Sequence, residues 1–157
     1  MENKGAKKLL FVSSSGGHWE ELMCLKTIAE ANDTVFVTEA GSQADEFKGG
    51  RVITYPQINR RQKGFFMSFM KLMKQASALI KKEKPDAVIS TGALVSVPFC
   101  LAAKLRGAKV IYIESFARVN GKSLTGKILY HFADLFIVQW ESLQPLYPKA
   151  VYAGSIF

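Results

Sequence analysis

The sequence of 157 residues is short of several things, and each shortage narrows what the chain can be. It has two cysteines, Cys24 and Cys100, far apart. Each falls in an apolar helical pattern, so both are expected as buried, reduced thiols of a cytosolic protein rather than as a disulfide. No apolar run approaches the roughly 18 residues that cross a bilayer. The start, Met1 to Lys8, runs straight into a short apolar segment, so no secretory leader is expected. Repeats, low-complexity stretches and long linkers are missing. No His/Asp/Glu/Cys grouping has metal-ligand spacing. With no D-x-D pair either, a metal-dependent nucleotide-sugar site inside this chain is not expected. The dinucleotide fingerprint G-x-G-x-x-G is absent, because Ser14 and Ser15 stand where glycine is needed. Glu39, after the second strand, could imitate a ribose-binding acid, which keeps a nucleotide-binding oxidoreductase as a weaker alternative. No cofactor and no metal are expected.

What is present describes one soluble domain. A domain typically takes about 100–200 residues, so a second α/β domain of equal size has no room. An enzyme that works in a cleft between two such domains is therefore only half present. Lysine and arginine number 21 against 13 acidic residues, a net charge of +8. That excess predicts a polyanionic neighbour: nucleic acid, an anionic membrane face or phosphorylated ligands. No nucleic-acid motif accompanies the charge, so nucleic acid is not expected as the partner.

Short, nearly continuous apolar runs at 8–13, 34–38, 51–55, 87–90, 109–113, 135–139 and 150–153 read as strands covered on both faces. Helical patterns lie between most of them, at 19–31, 65–82, 97–105 and 124–132. Pro98 suits a first turn, Gly107 a helix stop and Ser123 an N-cap. The alternation predicts an α/β, doubly wound, mainly parallel Rossmann-like sheet over residues 1–157. Such sheets bind ligands at the carboxyl ends of their strands, near the switch in strand order.

The loops in those positions are chemically rich. After the first strand comes Ser13-Ser14-Ser15-Gly16-Gly17-His18, after the fourth Ser90-Thr91-Gly92 through Ser96. Glu114-Ser115, leading to Arg118, Asn120 and Gly121, follows the fifth, and Gln139-Trp140-Glu141 the sixth. Ser15, Gly16 and Gly17 open a helix, where backbone N–H groups and the helix dipole favour phosphate; the alternative is a tight turn without a ligand. His18, at the mouth of this loop, is a candidate general base, or else a capping or packing histidine. Glu114 is a second candidate base or an acceptor for a sugar hydroxyl; the alternative is a capping or arginine-paired glutamate. Trp140 reads as core, and His131 as structural.

One further segment stands apart. On a helical wheel from Phe65, the residues Phe65, Phe69, Leu72, Met73, Ala76, Leu79 and Ile80 share one face. Phe66, Met67 and Met70 fall outside it, next to Arg60, Arg61 and Lys63. Apolar bulk flanked by cations describes a surface that enters an anionic membrane interface; the alternative is a wide buried face.

The loops also carry a resemblance. Ser15-Gly16-Gly17-His18, Thr91-Gly92 through Val97-Pro98, Tyr112-Ile113-Glu114-Ser115 with Arg118, Ser123 to Lys127, Ile137 to Trp140, Tyr147-Pro148 and Tyr152-Ala153-Gly154 are similar to the membrane-recruiting, acceptor-side subunits of split GT-B glycosyltransferases. These are the Alg14-like proteins and their bacterial capsule and exopolysaccharide relatives. The resemblance covers nearly the whole chain. It implies the N-terminal half of a GT-B enzyme that takes a polyprenyl-diphosphate-linked acceptor. A separate catalytic subunit would bind the nucleotide-sugar, with inverting, metal-independent transfer. Gly16, Gly17 and His18 would face the acceptor diphosphate. Gly92 to Ser96, with Thr91, would form a second glycine-rich loop, and Glu114 and Asn120 a third. His18 or Glu114 would take the acceptor hydroxyl's proton. The eukaryotic relatives carry an N-terminal membrane anchor that this sequence lacks, so segment 60–70 is the expected hold on the inner face of the cell membrane. A purely non-catalytic recruiting scaffold is the alternative.

Overall fold

Continuous apolar runs can be strands only if both faces are covered, and here they are. The structure, a computed structural model, describes residues 5–157. Seven strands, β1 (Lys8–Ser13), β2 (Asp33–Glu39), β3 (Arg51–Tyr55), β4 (Ala87–Gly92), β5 (Lys109–Ile113), β6 (Leu135–Val138) and β7 (Val151–Tyr152), form one sheet. Its order is β3-β2-β1-β4-β5-β6-β7, and every pairing is parallel. The expected doubly wound α/β fold is what the chain adopts.

Alternation along each strand feeds two cores. Leu10 and Val12 of β1 join Val35, Val37 and Val88 on one face, covered by α4 (Phe65–Glu83), α5 (Ser96–Leu105) and α6 (Leu124–Leu129). Leu9 and Phe11 join Phe36 and Ile89 on the other face, under Trp19 and Leu22 of α1 (Gly17–Met23) and Ala29 of α2 (Lys26–Glu30). A short helix α3 (Ser42–Glu46), which the sequence pattern did not show, follows β2. Ser123 caps α6 by accepting from Gly126 N–H at 2.8 Å, and Gly107 closes α5 with a φ of 81°.

The helix expected over 19–31 is broken. Around Cys24 and Leu25 the ladder tightens to i→i+3 bonds, Leu25 N–H to Leu22 C=O and Ile28 N–H to Leu25 C=O. The break rotates Cys24 to the surface, where its thiol donates to Glu20 C=O at 3.4 Å. Cys24 is therefore not the buried thiol expected; Cys100, on the buried face of α5, is. Burial pushes the Cys100 thiol up to about 12, so it stays protonated and inert.

At the end of α4, Glu83 is buried between two cations. Arg51 of β3 donates to it twice, at 2.6 and 3.1 Å, and Lys8 of β1 lies at 3.1 Å. These bonds tie the long helix to the amino edge of the sheet. The Arg51 hydrogen bonds, with Lys8, hold the Glu83 carboxyl below its ordinary range. A depressed carboxylate adds stability above its unfolded pKa and loses it as pH falls. Glu83→Gln should therefore lower the urea midpoint at neutral pH and flatten the loss of stability on acidification, as measured by denaturation between neutral and mildly acidic pH.

Candidate active site at the switch in strand order

Strand order reverses between β1 and β4, so the loops after these two strands part at one point on the carboxyl edge. That is where His18 and Thr91 meet. The loop 14–16 turns through Gly16, at a φ of 78°, and α1 places His18 over the end of β4. His18 Nδ1 is 3.0 Å from Thr91 C=O, and Thr91 Oγ1 donates to His18 C=O at 2.7 Å. A carbonyl only accepts, so Nδ1 is the donor in this contact and Nε2 is the nitrogen left for a ligand. Gly92, with a φ of 127°, lies flat against the imidazole; a Cβ there would sit 2.9 Å from the ring. Ala93 follows in the left-handed region, at a φ of 66°. That conformation costs an L-residue about 1 kcal/mol, and here it turns the chain sharply at the pocket wall.

The pocket has a volume of about 270 Å³. His18, Arg60, Arg118, Ser115, Ser123 and Thr125 supply its polar lining. Among the described residues no cluster of His, Cys, Asp or Glu could hold a metal ion.

Other sequence-nominated residues serve the frame. Gly16 N–H donates to Gln43 Oε1 at 2.6 Å, and Gln43 in turn donates to Glu20, so that amide of the first loop is already engaged. Gly17 and half-buried Ser15 lie beside it, and Ser15 Oγ is 3.5 Å from Glu39. Glu39 is buried among its own partners, Ser15 and Ile58 N–H, which does not suit a ribose acceptor. Ser96 is fully buried; its hydroxyl accepts from Ser90 and donates to Gly92 C=O, both at 2.7 Å. It locks the second loop and offers nothing to a ligand. Gly92 N–H is also taken, by Ser90 Oγ at 3.1 Å. Asn120 is exposed and outside the pocket lining.

Glu114 has no exposed surface at all. Its Oε1 accepts from Ser115 N–H at 3.0 Å and Tyr112 OH at 3.3 Å. Its Oε2 accepts from Tyr147 OH at 2.7 Å and from Ser123 Oγ and N–H at 3.0 and 3.3 Å. With five donors and no opening, it cannot reach a substrate hydroxyl. The geometry corrects the candidate-base reading in favour of a cap and loop anchor. Burial and the carboxylate together push the Tyr112 and Tyr147 phenols well up, so both remain donors. A side chain on Gly126 would collide with Glu114 Oε2 and Tyr147 OH, so the first turn of α6 carries a glycine pressed on the carboxylate.

Another buried carboxylate at this edge was invisible in the sequence. Glu21, one turn after His18 on α1, accepts from Ser115 Oγ at 2.9 Å, Phe116 N–H at 3.1 Å and Gln139 Nε2 at 3.2 Å. Burial raises its pKa, against the pull of these bonds and of His18. It joins α1 to the loops after β5 and β6. Trp140 packs as expected, at 4.9 Å from the Phe116 ring, with its indole N–H donating to Phe116 C=O at 2.7 Å. Phe66, Met67 and Met70 are 70, 74 and 42% exposed, so the wide-buried-face alternative does not hold for them. Arg60 precedes them and turns to the His18 pocket, while Arg61 and Lys63 are exposed outside its lining.

The buried frame makes a prediction that separates it from catalysis. Glu114→Ala strands the Tyr112 and Tyr147 hydroxyls and should cost about 3 kcal/mol or more of folding stability. Gly126→Ala should destabilise by about 2 kcal/mol through overpacking. Thermal melts of the two variants check both values; wild-type stability in Glu114→Ala would return Glu114 to the candidate bases.

The chain also compares closely with known proteins. The family model described as "Oligosaccharide biosynthesis protein Alg14 like" matches residues 9–156. The UDP-N-acetylglucosamine transferase subunit ALG14 of Mus musculus is 30% identical over 181 residues, covering 95% of this chain and 82% of that protein. The Homo sapiens subunit of the same name is 45% identical over 84 residues, half of this chain but only 39% of the human protein. Among solved structures, Acinetobacter baumannii MurG superposes with a TM-score of 0.68 at 19% identity, covering 85% of this chain and 41% of MurG. A UDP-N-acetylglucosamine 2-epimerase from Rickettsia bellii superposes with a TM-score of 0.73 at 18% identity, covering 96% of this chain and 45% of the epimerase. The chain thus spans under half of each of these two structures, as one Rossmann-like half of a GT-B architecture, and that likeness speaks for fold alone. The family match, running through all three site loops, has a firmer consequence: the chain belongs to the Alg14-like family of oligosaccharide biosynthesis proteins.

Proposed function

We propose that this chain is the acceptor-side subunit of a two-chain glycosyltransferase, and that His18 is the base that takes the acceptor hydroxyl's proton. The observation that carries the proposal is the imidazole at the strand switch point. Its Nδ1–H is fixed by Thr91 C=O, and its Nε2 has no protein partner among the described residues. An imidazole oriented by a backbone hydrogen bond and lining an open pocket is arranged to accept a proton. The nucleotide-sugar comes from a separate catalytic subunit, since this chain corresponds to one half of a GT-B body. The subunit names of the mammalian relatives support that division and point to UDP-N-acetylglucosamine as the class of donor. The acceptor is a polyprenyl-diphosphate-linked saccharide at the cytoplasmic membrane face. The sequence's likeness to capsule and exopolysaccharide proteins supports a bacterial polysaccharide route.

Membrane attachment in this reading falls to the start of α4. No helix among the described residues is long and apolar enough to cross a bilayer. Phe66, Met67 and Met70 project from α4 beside Arg61 and Lys63, apolar tips with cations at headgroup level.

Reconstitution with the companion subunit, a nucleotide-sugar and lipid-linked acceptor tests the assignment. His18→Ala should lower kcat by about 10²-fold or more while the pair still assembles. Full transfer by His18→Ala would make the chain a recruiting scaffold, and transfer without the companion would overturn the two-chain reading. Phe66→Ser with Met70→Ser should abolish sedimentation with phosphatidylglycerol vesicles and leave the melting temperature unchanged. Undiminished sedimentation would release these residues from the membrane role.

A further inference from the structure

Two glycine amides of this site's loops are already engaged and are not offered to a diphosphate. Gly16 N–H serves Gln43 and Gly92 N–H serves Ser90. The pocket does have two guanidinium groups, those of Arg60 and Arg118. Neither makes an ion pair or side-chain hydrogen bond among the described residues. No carboxylate lines the pocket. The two nearest in the frame, Glu21 and Glu114, are buried behind it with their oxygens turned to their own donors. Two unopposed arginines around one cavity, beside the His18 imidazole, make a site of positive charge with fork-shaped donors. Guanidinium groups hold phosphate oxygens in pairs.

We infer that Arg60 and Arg118 clamp the diphosphate of the lipid-linked acceptor, one from each wall of the pocket, and present the sugar to His18. This rests on the acceptor-side reading above and names the residues that make it work. The two arginines come from distant loops. Arg118 sits on the loop after β5, whose course is set by Glu114 and Glu21 through Ser115, Phe116 and Ser123. Arg60 sits in a turn closed by Gln62 N–H to Asn59 C=O and by Arg61 N–H to Asn59 Oδ1 at 2.9 Å. The same turn leads directly into α4 and its exposed Phe66 and Met67. One short stretch therefore carries both a pocket ligand and the apolar patch. A diphosphate at headgroup depth enters the pocket along the path that the patch sets against the bilayer. The cations divide the labour: Arg60 turns inward to the ligand, and Arg61 and Lys63 remain outside for the lipid surface.

The test uses the full chain and two separate probes. Inorganic pyrophosphate in calorimetric titration reads the clamp without a membrane. Vesicles of phosphatidylcholine with and without phosphatidylglycerol read the patch. Arg60→Ala and Arg118→Ala should each weaken pyrophosphate at least tenfold, with melting temperatures unchanged because both side chains are exposed. Arg61→Ala and Lys63→Ala should keep pyrophosphate affinity and lose vesicle binding. Orthophosphate should bind more weakly than pyrophosphate, since it engages one guanidinium at a time. No pyrophosphate binding by the wild-type chain overturns the clamp. So does an equal loss in Arg61→Ala, which would mean diffuse charge. If the clamp variants behave as expected but the chain fails to stimulate its companion subunit, the diphosphate site stands and the glycosyl-transfer reading falls.

Discussion

A carboxylate sealed from water must collect donors from whatever surrounds it, and in this protein that requirement shapes the carboxyl edge of the sheet. Glu114 ends β5 with no exposed surface and draws in Ser115, Ser123, Tyr112 and Tyr147. The last of these lies beyond β6, and Ser123 is the N-cap of α6. One side chain thus fixes the exit of a strand, the entry of a helix and the packing of the C-terminal aromatic cluster. Glu21 repeats the device from α1, linking Ser115 and Phe116 to Gln139. Together the two acids hold the long loop 114–123 rigid without taking part in the surface it presents.

That arrangement separates support from chemistry. Behind the pocket lie buried, hydrogen-bonded acids; in its lining are imidazole and guanidinium groups. A ligand rich in negative charge meets two guanidinium groups and no carboxylate there. The same separation holds along β4, where Ser90 and Ser96 satisfy the turn internally and leave Thr91 C=O to orient His18. The φ values of Gly92 and Ala93 set the turn tightly enough for the ring to lie against bare backbone. The net charge of +8 is spread widely, but the part that matters for a small anionic ligand is concentrated by these supports.

Much of the architecture could be read along the chain because it depends on short-range regularity. Continuous apolar runs of β1, β2 and β4 specify doubly covered strands, and glycine or serine at their ends specifies turns. The loop positions followed from the parallel topology alone, so His18, Thr91, Gly92, Ser115 and Arg118 were found at the right edge. The break at Cys24 and Leu25 was not legible, since the apolar spacing continues through it. Residue type also misled at Glu114 and Ser96: an acid or hydroxyl at a strand's end looks the same whether its partners are protein or substrate.

What the sequence determined by itself, then, was the fold, the edge that carries the site and the chemistry stocked there, because hydrophobic period and turn chemistry act between near neighbours. The tertiary structure decided which polar groups are occupied and which are free. Glu21 and Glu114 find their donors across as many as 118 and 33 residues of chain, and Arg60 and Arg118, from distant loops, line one pocket. Satisfaction of a buried charge is a matter of distance in space. Only the folded chain could show that the acids turn inward to their own loops while His18 and the two arginines line the pocket.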